Sequence, residues 1–257
     1  MRAVVKLGGS ILEPAPAAGL LAALARARAA GAELVLVHGG GKALNGLLAR
    51  LGVESEFRQG LRVTSAATLR AAVMAFAGEV NTQLVGGLNA AGVRAVGLTG
   101  LDGECVRARA EQPELGAVGT VTAVQAGLLR TLLGAGYTPV LAPLASDGAG
   151  GALNVNADQF AAAVAAAWGA ERLLFATDVA GVLDGAGAPL AQVTLAELEA
   201  MAAGRAISGG MLPKADACRL ALRAAAATRV EILGPEAAMR LDQILAGADC
   251  PGTRVLA

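Results

Sequence analysis

Short apolar segments alternate with alanine-rich segments along the whole sequence, and this alternation is the strongest constraint on its fold. We predict strands at residues 3–7, 34–37, 94–98, 138–141, 173–176, 229–233 and 253–256. Most of them are followed by a segment with high helix propensity. Strands that are separated by helices form parallel sheets with helices on both faces. We therefore expect an α/β protein, a three-layer αβα sandwich around a mostly parallel open sheet.

The alanine-rich segments predict helices at residues 20–30, 43–51, 66–77, 79–91, 125–135, 157–168, 194–203, 215–227 and 237–246. Thr194 with Glu197, and Asn156 with Gln159, have the spacing of a capping box at a helix start. The glycine-rich residues 99–124 interrupt the alternation with short alternating stretches. We predict antiparallel strands there.

The composition narrows the possible functions. The 257 residues include 21 basic and 21 acidic ones, so the formal net charge is zero. The sequence contains no basic run interleaved with aromatic residues, which argues against nucleic acid and membrane surfaces as main partners. No uncharged apolar stretch reaches the length of a membrane span, and the three cysteines lack metal-ligand spacing. We expect a soluble, reduced, cytoplasmic protein.

Lysine is rare in this sequence and occurs only as Lys6, Lys42 and Lys214. The other basic residues counted in the net charge are arginine. A lysine retained in such a sequence indicates a place where a compact ammonium is needed. Lys6 lies near the end of the first predicted strand, just before Gly8 and Gly9, whose bare backbone can approach an anion. Lys6 is therefore a candidate phosphate-binding residue. The alternative is an edge strand whose lysine reaches solvent.

A second glycine cluster, residues 39–41, follows the strand at 34–37 and precedes a helix. This order is typical of an amide nest that binds phosphate or carboxylate. It is neither a Walker motif, since Ala43 follows Lys42, nor a Rossmann fingerprint, since Leu44 replaces the third glycine. His38, the only histidine, is either catalytic or a hydrogen-bonded structural residue, and no nucleophilic triad is supported.

Further polar residues lie at predicted strand ends and helix starts. Arg62 follows a glycine turn, where its planar fork could bind a carboxylate or simply lie on the surface. Asp158 is one of four polar residues within residues 154–159, and helix capping explains only one of the four. Lys214 lies in the first turn of a helix, where its charge opposes the helix dipole. Ligands bind beyond the carboxyl ends of parallel strands. We expect one edge of the sheet to bring together Lys6, residues 39–41, Asn154 and Asp178.

Several short segments, taken in order, resemble a known family. VVKLGGS, VHGGG, GLRVT, NVNAD, TDVAGVLD, ISGGMLPK and GTRVLA are similar to motifs of the amino acid kinase family. GLRVT with NVNAD resembles more narrowly the members that phosphorylate N-acetyl-L-glutamate. The resemblance covers essentially the whole chain. It implies the amino acid kinase fold, with residues 1–170 as a lobe for substrate binding and dimerisation and residues 171–257 as a nucleotide-binding lobe.

The resemblance also implies roles for individual residues. The implied catalytic residues are Lys6 and Lys214, which neutralise the phosphoryl group in transfer, and Asp158, which holds the two lysines. The implied substrate-binding residues are Gly40, Gly41, Arg62 and Asn154. The implied nucleotide-binding residues are Gly8, Gly9, Asp178, Val179, Gly181, Val182, Leu183, Ile207, Ser208, Gly210 and Met211. Lys42 receives no role, no metal ligand is implied, and residues 106–115 fit the family pattern less closely.

The activity that the resemblance implies is ATP-dependent phosphorylation of the γ-carboxylate of N-acetyl-L-glutamate in arginine biosynthesis, with Mg²⁺ on the nucleotide phosphates. The acceptor is already ionised at neutral pH, so no general base is needed. One alternative is a kinase of the same fold that acts on another carboxylate, such as carrier-bound aminoadipate, although GLRVT argues against it. The other is a non-catalytic module that senses nucleotide.

An expectation about assembly also comes from the resemblance. Arginine-inhibited relatives carry an extra N-terminal helix that links dimers into a hexamer, whereas only Met1 and Arg2 precede the first predicted strand here. We expect an arginine-insensitive homodimer. Its contact would be formed by the helix at 66–77, which presents Val73, Met74 and Phe76.

Overall fold

The computed structural model describes residues 1–12, 15–58, 60–207, 209–224 and 228–257. The strands are β1 (Arg2–Leu7), β2 (Glu33–His38), β3 (Phe57–Arg58), β4 (Leu61–Arg62), β5 (Ala95–Thr99), β6 (Val106–Arg109), β7 (Thr120–Val124), β8 (Thr138–Ala142), β9 (Leu144–Ser146), β10 (Ala152–Asn154), β11 (Arg172–Ala176), β12 (Gln192–Thr194), β13 (Arg229–Leu233) and β14 (Thr253–Leu256).

The helices are α1 (Gly9–Leu12), α2 (Ala18–Ala29), α3 (Gly41–Arg50), α4 (Ala66–Val73), α5 (Asn81–Ala90), α6 (Gly127–Gly134), α7 (Ala157–Trp168), α8 (Leu195–Ala203), α9 (Met211–Ala224), α10 (Pro235–Ala238) and α11 (Leu241–Leu245). A π-helical segment, Met74–Val80, joins α4 to α5. Short 3₁₀ turns lie at Asp102–Glu104 and Pro113–Leu115.

Within the described residues, eight strands form the main sheet, in the order β12-β14-β13-β11-β1-β2-β8-β5. Strand β14 runs antiparallel to β13, and the other recorded pairings in this sheet are parallel. The predicted mostly parallel sheet is confirmed. Because β1 lies in the middle of the sheet, between β2 and β11, the interpretation of Lys6 as an edge-strand residue is wrong.

The two faces of the sheet carry separate hydrophobic cores, as a three-layer sandwich requires. Successive side chains of a strand point to opposite faces. Ala3, Val5 and Leu7 of β1 pack in one core with apolar residues of α2, α5 and α11. Val4 packs in the other core with apolar residues of α7 and α9. Lys6 shares the face of Val4, so the alternation of β1 directs it to the side covered by α7 and α9.

A smaller sheet carries the residues that interrupt the alternation. Its strand order is β10-β9-β6-β7, and β6 pairs antiparallel with β7. The antiparallel strands predicted within residues 99–124 are therefore confirmed. The loop between β6 and β7 also reaches the predicted substrate residue Asn154, to which Val118 bridges, and Thr64, to which Gly116 bridges.

The structure differs from the sequence predictions at several helices. The predicted helices at 66–77 and 79–91 form one continuous helical rod, since the π segment carries the chain through Gly78 without a break. The predicted helix at 237–246 is two short helices, because Arg240 leaves helical geometry with φ −116°. The predicted end of another helix, residues 225–227, lies outside the described residues. Over the described ranges, no helix has both the length and the apolar character needed to cross a bilayer.

Candidate active site

Two lysines and one aspartate meet at the carboxyl edge of the main sheet. Asp158 lies between them, with Oδ1 at 2.9 Å from Nζ of Lys6 and Oδ2 at 3.0 Å from Nζ of Lys214. The three residues are buried, with exposed fractions of 8% for Lys6, 6% for Asp158 and 4% for Lys214. The cluster holds two positive charges against one negative charge. A buried excess of positive charge is costly unless an anion binds beside it.

The electrostatics of this cluster keep its aspartate ionised. Burial alone would raise the pKa of Asp158, but the adjacent Lys6 and Lys214 ammonium groups outweigh it and hold that pKa below its usual range. Burial lowers the pKa of Lys6, and the attraction of Asp158 opposes this shift. A second carboxylate, Asp178, attracts the Lys6 charge more weakly. The carboxylate of Asp158 therefore holds both ammonium groups as a shared counter-ion.

Three different elements bring these residues together. Lys6 comes from β1, and Asp158 lies in the first turn of α7, where Asn156 caps the helix by accepting from the N–H groups of Asp158 and Gln159 at 2.9 and 3.3 Å. The predicted cap is confirmed, but in the described structure Gln159 returns no side-chain bond, so the predicted capping box is only half present. Lys214 lies in the first turn of α9, as predicted, with its Nζ 5.2 Å from the centroid of the Phe175 ring.

Glycine amides lie next to one another at two helix starts. A Cβ on Gly9 would lie 3.3 Å from the backbone nitrogens of both Gly40 and Gly41, so the bare backbone of Gly9 is what lets α1 and α3 begin side by side. The N–H groups of Gly9, Gly40 and Gly41 donate to no acceptor within the described residues. The N–H of Gly8 donates to the carbonyl of Ala176 at 2.8 Å, so this amide is not open to a ligand.

The only histidine lies beneath this glycine turn and is fully buried. Nδ1 of His38 is 2.7 Å from the Gly39 carbonyl oxygen, and Nε2 is 3.0 Å from Nδ2 of Asn81. Burial lowers the pKa of His38 to about 4, and the positive charge of Lys6 adds to this shift. The structural interpretation of His38 fits this environment. A proton-transfer role does not, because the imidazole is neutral and both of its nitrogens are occupied.

A cavity of about 190 Å³ opens beside the glycine turn. Its lining includes all four residues assigned to the substrate: Gly40, Gly41, Arg62 and Asn154. Nη2 of Arg62 donates to Oδ1 of Asn45 at 2.6 Å, Nη1 donates to the hydroxyl of Ser55, and the guanidinium lies 4.5 Å from the centroid of the Phe57 ring. Arg62 is held by these contacts, and none of its partners in the described structure is a carboxylate.

Thr64 connects the two polar side chains of this cavity. Its hydroxyl donates to the backbone carbonyl of Arg62 at 2.9 Å and accepts from Nδ2 of Asn154 at 3.1 Å. Since the single hydroxyl proton goes to a carbonyl, the amide nitrogen of Asn154 has to face Thr64. The carbonyl oxygen of Asn154 therefore faces away from Thr64 and can accept a hydrogen bond from a ligand.

The segments assigned to the nucleotide lie in the loop after β11 and at the start of α9. Asp178 and Leu183 are exposed, and Val179 is half-buried. Gly181 and Val182 pack against Thr253, whose hydroxyl accepts from the Val182 N–H at 2.8 Å. Ile207 is buried, Gly210 is exposed, Met211 is half-buried, and Ser208 lies outside the described residues. Val182 is buried completely, so only its backbone could meet a nucleotide.

Sequence reasoning missed the residues that hold the site in place. They are Asn45 and Ser55 around Arg62, Phe57 beneath its guanidinium, Thr64 between Arg62 and Asn154, and Asn81 on His38. Each acts through a contact with a residue at least five positions away in sequence. No local pattern could have indicated them, apart from the position of Thr64 within GLRVT.

The fold and the site together define a protein that brings anionic groups together at the carboxyl edge of a parallel sheet. The chain belongs to the amino acid kinase family, whose model matches residues 1–233. It is 45% identical over 257 residues to the acetylglutamate kinase of Solibacter usitatus, a match that covers 100% of this chain and 99% of that protein.

Two further relatives show the same similarity. The acetylglutamate kinase of Rubrobacter xylanophilus is 47% identical over 227 residues, which cover 88% of this chain and 87% of that protein. Among solved structures, smu.665 from Streptococcus mutans UA159 superposes with a TM-score of 0.88 at 30% identity, covering 100% of this chain and 98% of that one. The predicted family and the predicted fold are confirmed.

Proposed function

We propose that this chain catalyses the ATP-dependent phosphorylation of the γ-carboxylate of N-acetyl-L-glutamate in arginine biosynthesis. The observation that carries the proposal is the buried Lys6–Asp158–Lys214 cluster, with its excess positive charge, beside unoccupied glycine amides. Relatives that match nearly the whole chain bear the name acetylglutamate kinase. A non-catalytic nucleotide sensor would have no need for this costly cluster.

The reaction joins two anions, and the residues of the site are suited to that difficulty. A γ-carboxylate oxygen attacks the γ-phosphorus of ATP, a new O–P bond forms, and the bond to the bridging oxygen breaks as ADP leaves. Lys6 and Lys214 neutralise the charge on the phosphoryl oxygens, while Asp158 fixes the position of both ammonium groups. The amides of Gly9, Gly40 and Gly41 supply further hydrogen bonds.

No general base is required, because the acceptor carboxylate is ionised at neutral pH. The environment of His38 is consistent with this, since a fully buried imidazole with a pKa of about 4 and both nitrogens engaged takes no proton from a substrate. The barrier is therefore lowered by position and charge rather than by proton transfer.

We assign the 190 Å³ cavity to N-acetyl-L-glutamate. Arg62 would bind the α-carboxylate of the substrate, because the contacts with Asn45 and Ser55 already orient its guanidinium fork. The free carbonyl oxygen of Asn154 is suited to accept the N–H of the acetamido group. The ammonium of glutamate could donate to the same oxygen, but its positive charge would enter a cavity lined by the like charge of Arg62, which would favour the neutral acetamido group.

ATP would enter from the side of β11, along Asp178, Val179, Gly181, Val182, Leu183 and the residues from Ile207 to Met211. We expect it as its Mg²⁺ complex, and phosphate oxygens with water supply most ligands of such an ion. Within the described residues, no group of three or more His, Cys, Asp or Glu side chains could hold a metal. The lobe boundary at 170/171 would then separate the amino-acid side, before β11, from the nucleotide side.

A coupled assay of ADP release tests the proposed activity. We expect turnover with N-acetyl-L-glutamate and none above background with glutamate or aminoadipate. Turnover with aminoadipate or its carrier-bound form alone would favour the related kinase. A protein that binds ATP but releases no ADP with any of these acceptors would favour the nucleotide-sensing module.

We further propose that the protein is a homodimer that pairs through α4 and the π segment. Val73 and Met74 are 39% and 56% exposed there, on a helix whose opposite side is buried. The prediction that Phe76 is also presented is wrong, because Phe76 is buried and packs on Gly40. A self-complementary helix face is a common dimer contact. Light scattering coupled to size exclusion should give twice the chain mass, and Met74→Glu should reduce it to the mass of one chain. An unchanged mass for Met74→Glu would place the contact elsewhere.

A further inference from the structure

The proposed mechanism does not use one buried series of hydrogen-bonded side chains, which ends at the glycine turn. Asn81, at the start of α5, contacts His38 at the end of β2, and His38 contacts the carbonyl of Gly39. Asn81 and His38 are both buried. Buried polar side chains are retained when their hydrogen bonds are satisfied and serve a purpose.

Two backbone carbonyls fix the direction of this chain of hydrogen bonds. Nδ2 of Asn81 lies 3.0 Å from the carbonyl oxygen of Val140, which can only accept, so the amide nitrogen has to face that side. The same nitrogen lies 3.0 Å from Nε2 of His38, which therefore accepts as well. The imidazole proton must then sit on Nδ1, where it is donated to the Gly39 carbonyl at 2.7 Å. Each of these three contacts then joins one donor to one acceptor.

The π-helical segment places Asn81 at the right point to make these bonds. The backbone N–H of Asn81 donates to the carbonyl of Phe76, five residues earlier, which is the hydrogen bond that defines a π-helix. This wider turn brings residues five apart towards the same side of the helix. Phe76 packs on the glycine turn from that side. The contact is close, since a Cβ on Gly40 would lie only 2.8 Å from the Phe76 ring.

Gly97 provides the space for the amide of Asn81. A Cβ at position 97 would lie 2.0 Å from Oδ1 of Asn81, so no larger residue of β5 fits beside it. Glycine in the interior of a strand weakens that strand and often marks a close approach. The side-chain amide of Asn81 thus explains why a glycine occupies position 97.

We propose that Asn81 and His38 are positioning residues, which hold the Gly39 carbonyl from below while Phe76 packs on Gly40, so that the amides of Gly40 and Gly41 point at the phosphoryl group in transfer. Neither side chain touches the substrate cavity, so they act through the backbone of the turn. The inference rests on the proposed function for its kinetic readout, but the protonation pattern of His38 can be measured without any substrate.

Nuclear magnetic resonance of the resting protein gives the first test, because the chain has a single histidine. The ¹⁵N shifts of one imidazole report directly which nitrogen carries the proton. We expect a neutral ring with the proton on Nδ1 throughout the neutral pH range. A proton on Nε2 would overturn the proposal, whether or not the protein turns over N-acetyl-L-glutamate.

Asn81→Leu gives the second test, since it keeps the approximate volume and removes the donor. We expect the proton of His38 to stay on Nδ1, because the Gly39 carbonyl can only accept, while Nε2 loses its donor and its ¹⁵N shift changes. We expect kcat to fall at least tenfold, with KM for ATP within about twofold of the wild-type value. Losing one well-placed donor costs hundredfold or more in other enzymes, and a displaced turn should cost somewhat less.

The matched control is Asn89→Leu, on the same helix. The side chain of Asn89 bonds to the backbone of Val85 and Ala95 at the opposite end of α5, so it stabilises the helix without reaching the turn. Asn89 is exposed, so we expect a smaller loss of stability than in Asn81→Leu, and an unchanged kcat. Equal kcat values for Asn81→Leu and Asn89→Leu would overturn the proposal, because the role of Asn81 would then be structural only. A wild-type protein inactive on every acceptor would contradict the proposed function instead.

Discussion

At the scale of single residues, the positive charges of Lys6 and Lys214 are the main feature of the site. The lysines share a single carboxylate at 2.9 and 3.0 Å, and within the described residues no other carboxylate forms an ion pair with either of them. Removing one partner from a buried ion pair typically destabilises a protein by about 3–5 kcal/mol, because a charge remains uncompensated. Here the removal of one lysine leaves a neutral pair, so function should suffer more than stability.

Lys6→Ala and Lys214→Ala should each lower kcat by about a hundredfold or more, with a modest effect on the affinity for ATP. Both charges are needed most when the phosphoryl group carries its developing charge. Lys6→Arg should fail too, because a wider guanidinium cannot keep the position of a compact ammonium between β1 and α7. Steady-state kinetics measure this, with Lys42→Ala at the exposed third lysine as the control. Near-normal turnover of Lys6→Arg would contradict the assignment.

Thr64→Val should raise KM for N-acetyl-L-glutamate by about tenfold while leaving kcat and KM for ATP nearly unchanged. The substitution removes the hydroxyl that orients Asn154 and holds the Arg62 backbone, and one hydrogen bond is worth about 1 kcal/mol. Arg62→Ala should raise the same KM further. Thr68→Val, another buried threonine whose hydroxyl contacts only Ser65 in the described structure, is the control. An equal rise in KM for both substrates would place Thr64 and Arg62 elsewhere.

The sequence indicates residues whose type is unusual for their position, and it misses those whose type is ordinary. A lysine in a buried strand and a lysine in the first turn of a helix both stand out, and the structure brings them together on Asp158. Asn81 is an ordinary asparagine in a helix, and Thr64 an ordinary threonine before a helix start. Their importance comes from partners distant in sequence, which only the folded chain brings close.

At the scale of elements, one helix cap also holds a residue of the proposed catalytic cluster. Asn156 binds the N–H of Asp158 itself, so the cap of α7 also fixes the residue that holds both lysines. The capping box of Thr194 and Glu197 on α8, which the sequence predicted, is confirmed and has no such second role. The two caps therefore form a natural comparison.

Asn156→Ala and Thr194→Ala should destabilise the protein by similar amounts, about 1 kcal/mol each. Only Asn156→Ala should also lower kcat, by about tenfold, because Asp158 loses the anchor of its backbone. Urea unfolding measures the first effect and steady-state kinetics the second. If both variants keep full turnover, the cap of α7 has no part in positioning Asp158.

The order of strands and helices follows well from the sequence, whereas helix continuity does not. Strands at 229–233 and 253–256 have the predicted bounds, because apolar β-branched residues between turn residues mark strands clearly. Gly78 predicted a break, yet the helix continues, since packing on both sides overrides the weak propensity of one glycine. The π geometry of that segment leaves no signal in the sequence, as it depends on where Phe76 and Asn81 find partners.

At the scale of the whole molecule, one sheet runs through both predicted lobes and carries the site at its centre. Strand β1, from the first lobe, pairs along its length with β11 from the second. Both cores contain residues from either side of the predicted boundary. Any movement of the lobes has to bend this shared sheet, so we expect closure to come from the loops and helices around it.

The buried histidine should make stability depend on pH in the mildly acidic range. The pKa of His38 falls from 6.5 to about 4 on folding, so between these values the unfolded chain binds a proton that the folded chain does not. Stability should therefore decrease as the pH falls, by about 2 kcal/mol between pH 7.5 and 5. Urea unfolding at the two pH values tests this. A free energy of unfolding that stays constant would show that His38 titrates normally in the folded protein.

The distribution of lysines has a practical consequence for chemical labelling. Lys6 and Lys214 are buried, so apart from the amino terminus only Lys42 offers an exposed primary amine. Amine-reactive dyes and cross-linkers should attach almost entirely at that side chain, which stands at the start of α3, next to the glycine turn. A Lys42→Arg variant should lose nearly all of this labelling, which would identify that side chain as the point of attachment. The unsubstituted protein could be immobilised on a surface through the Lys42 amine, while the buried amines of Lys6 and Lys214 stay shielded from the coupling reagent.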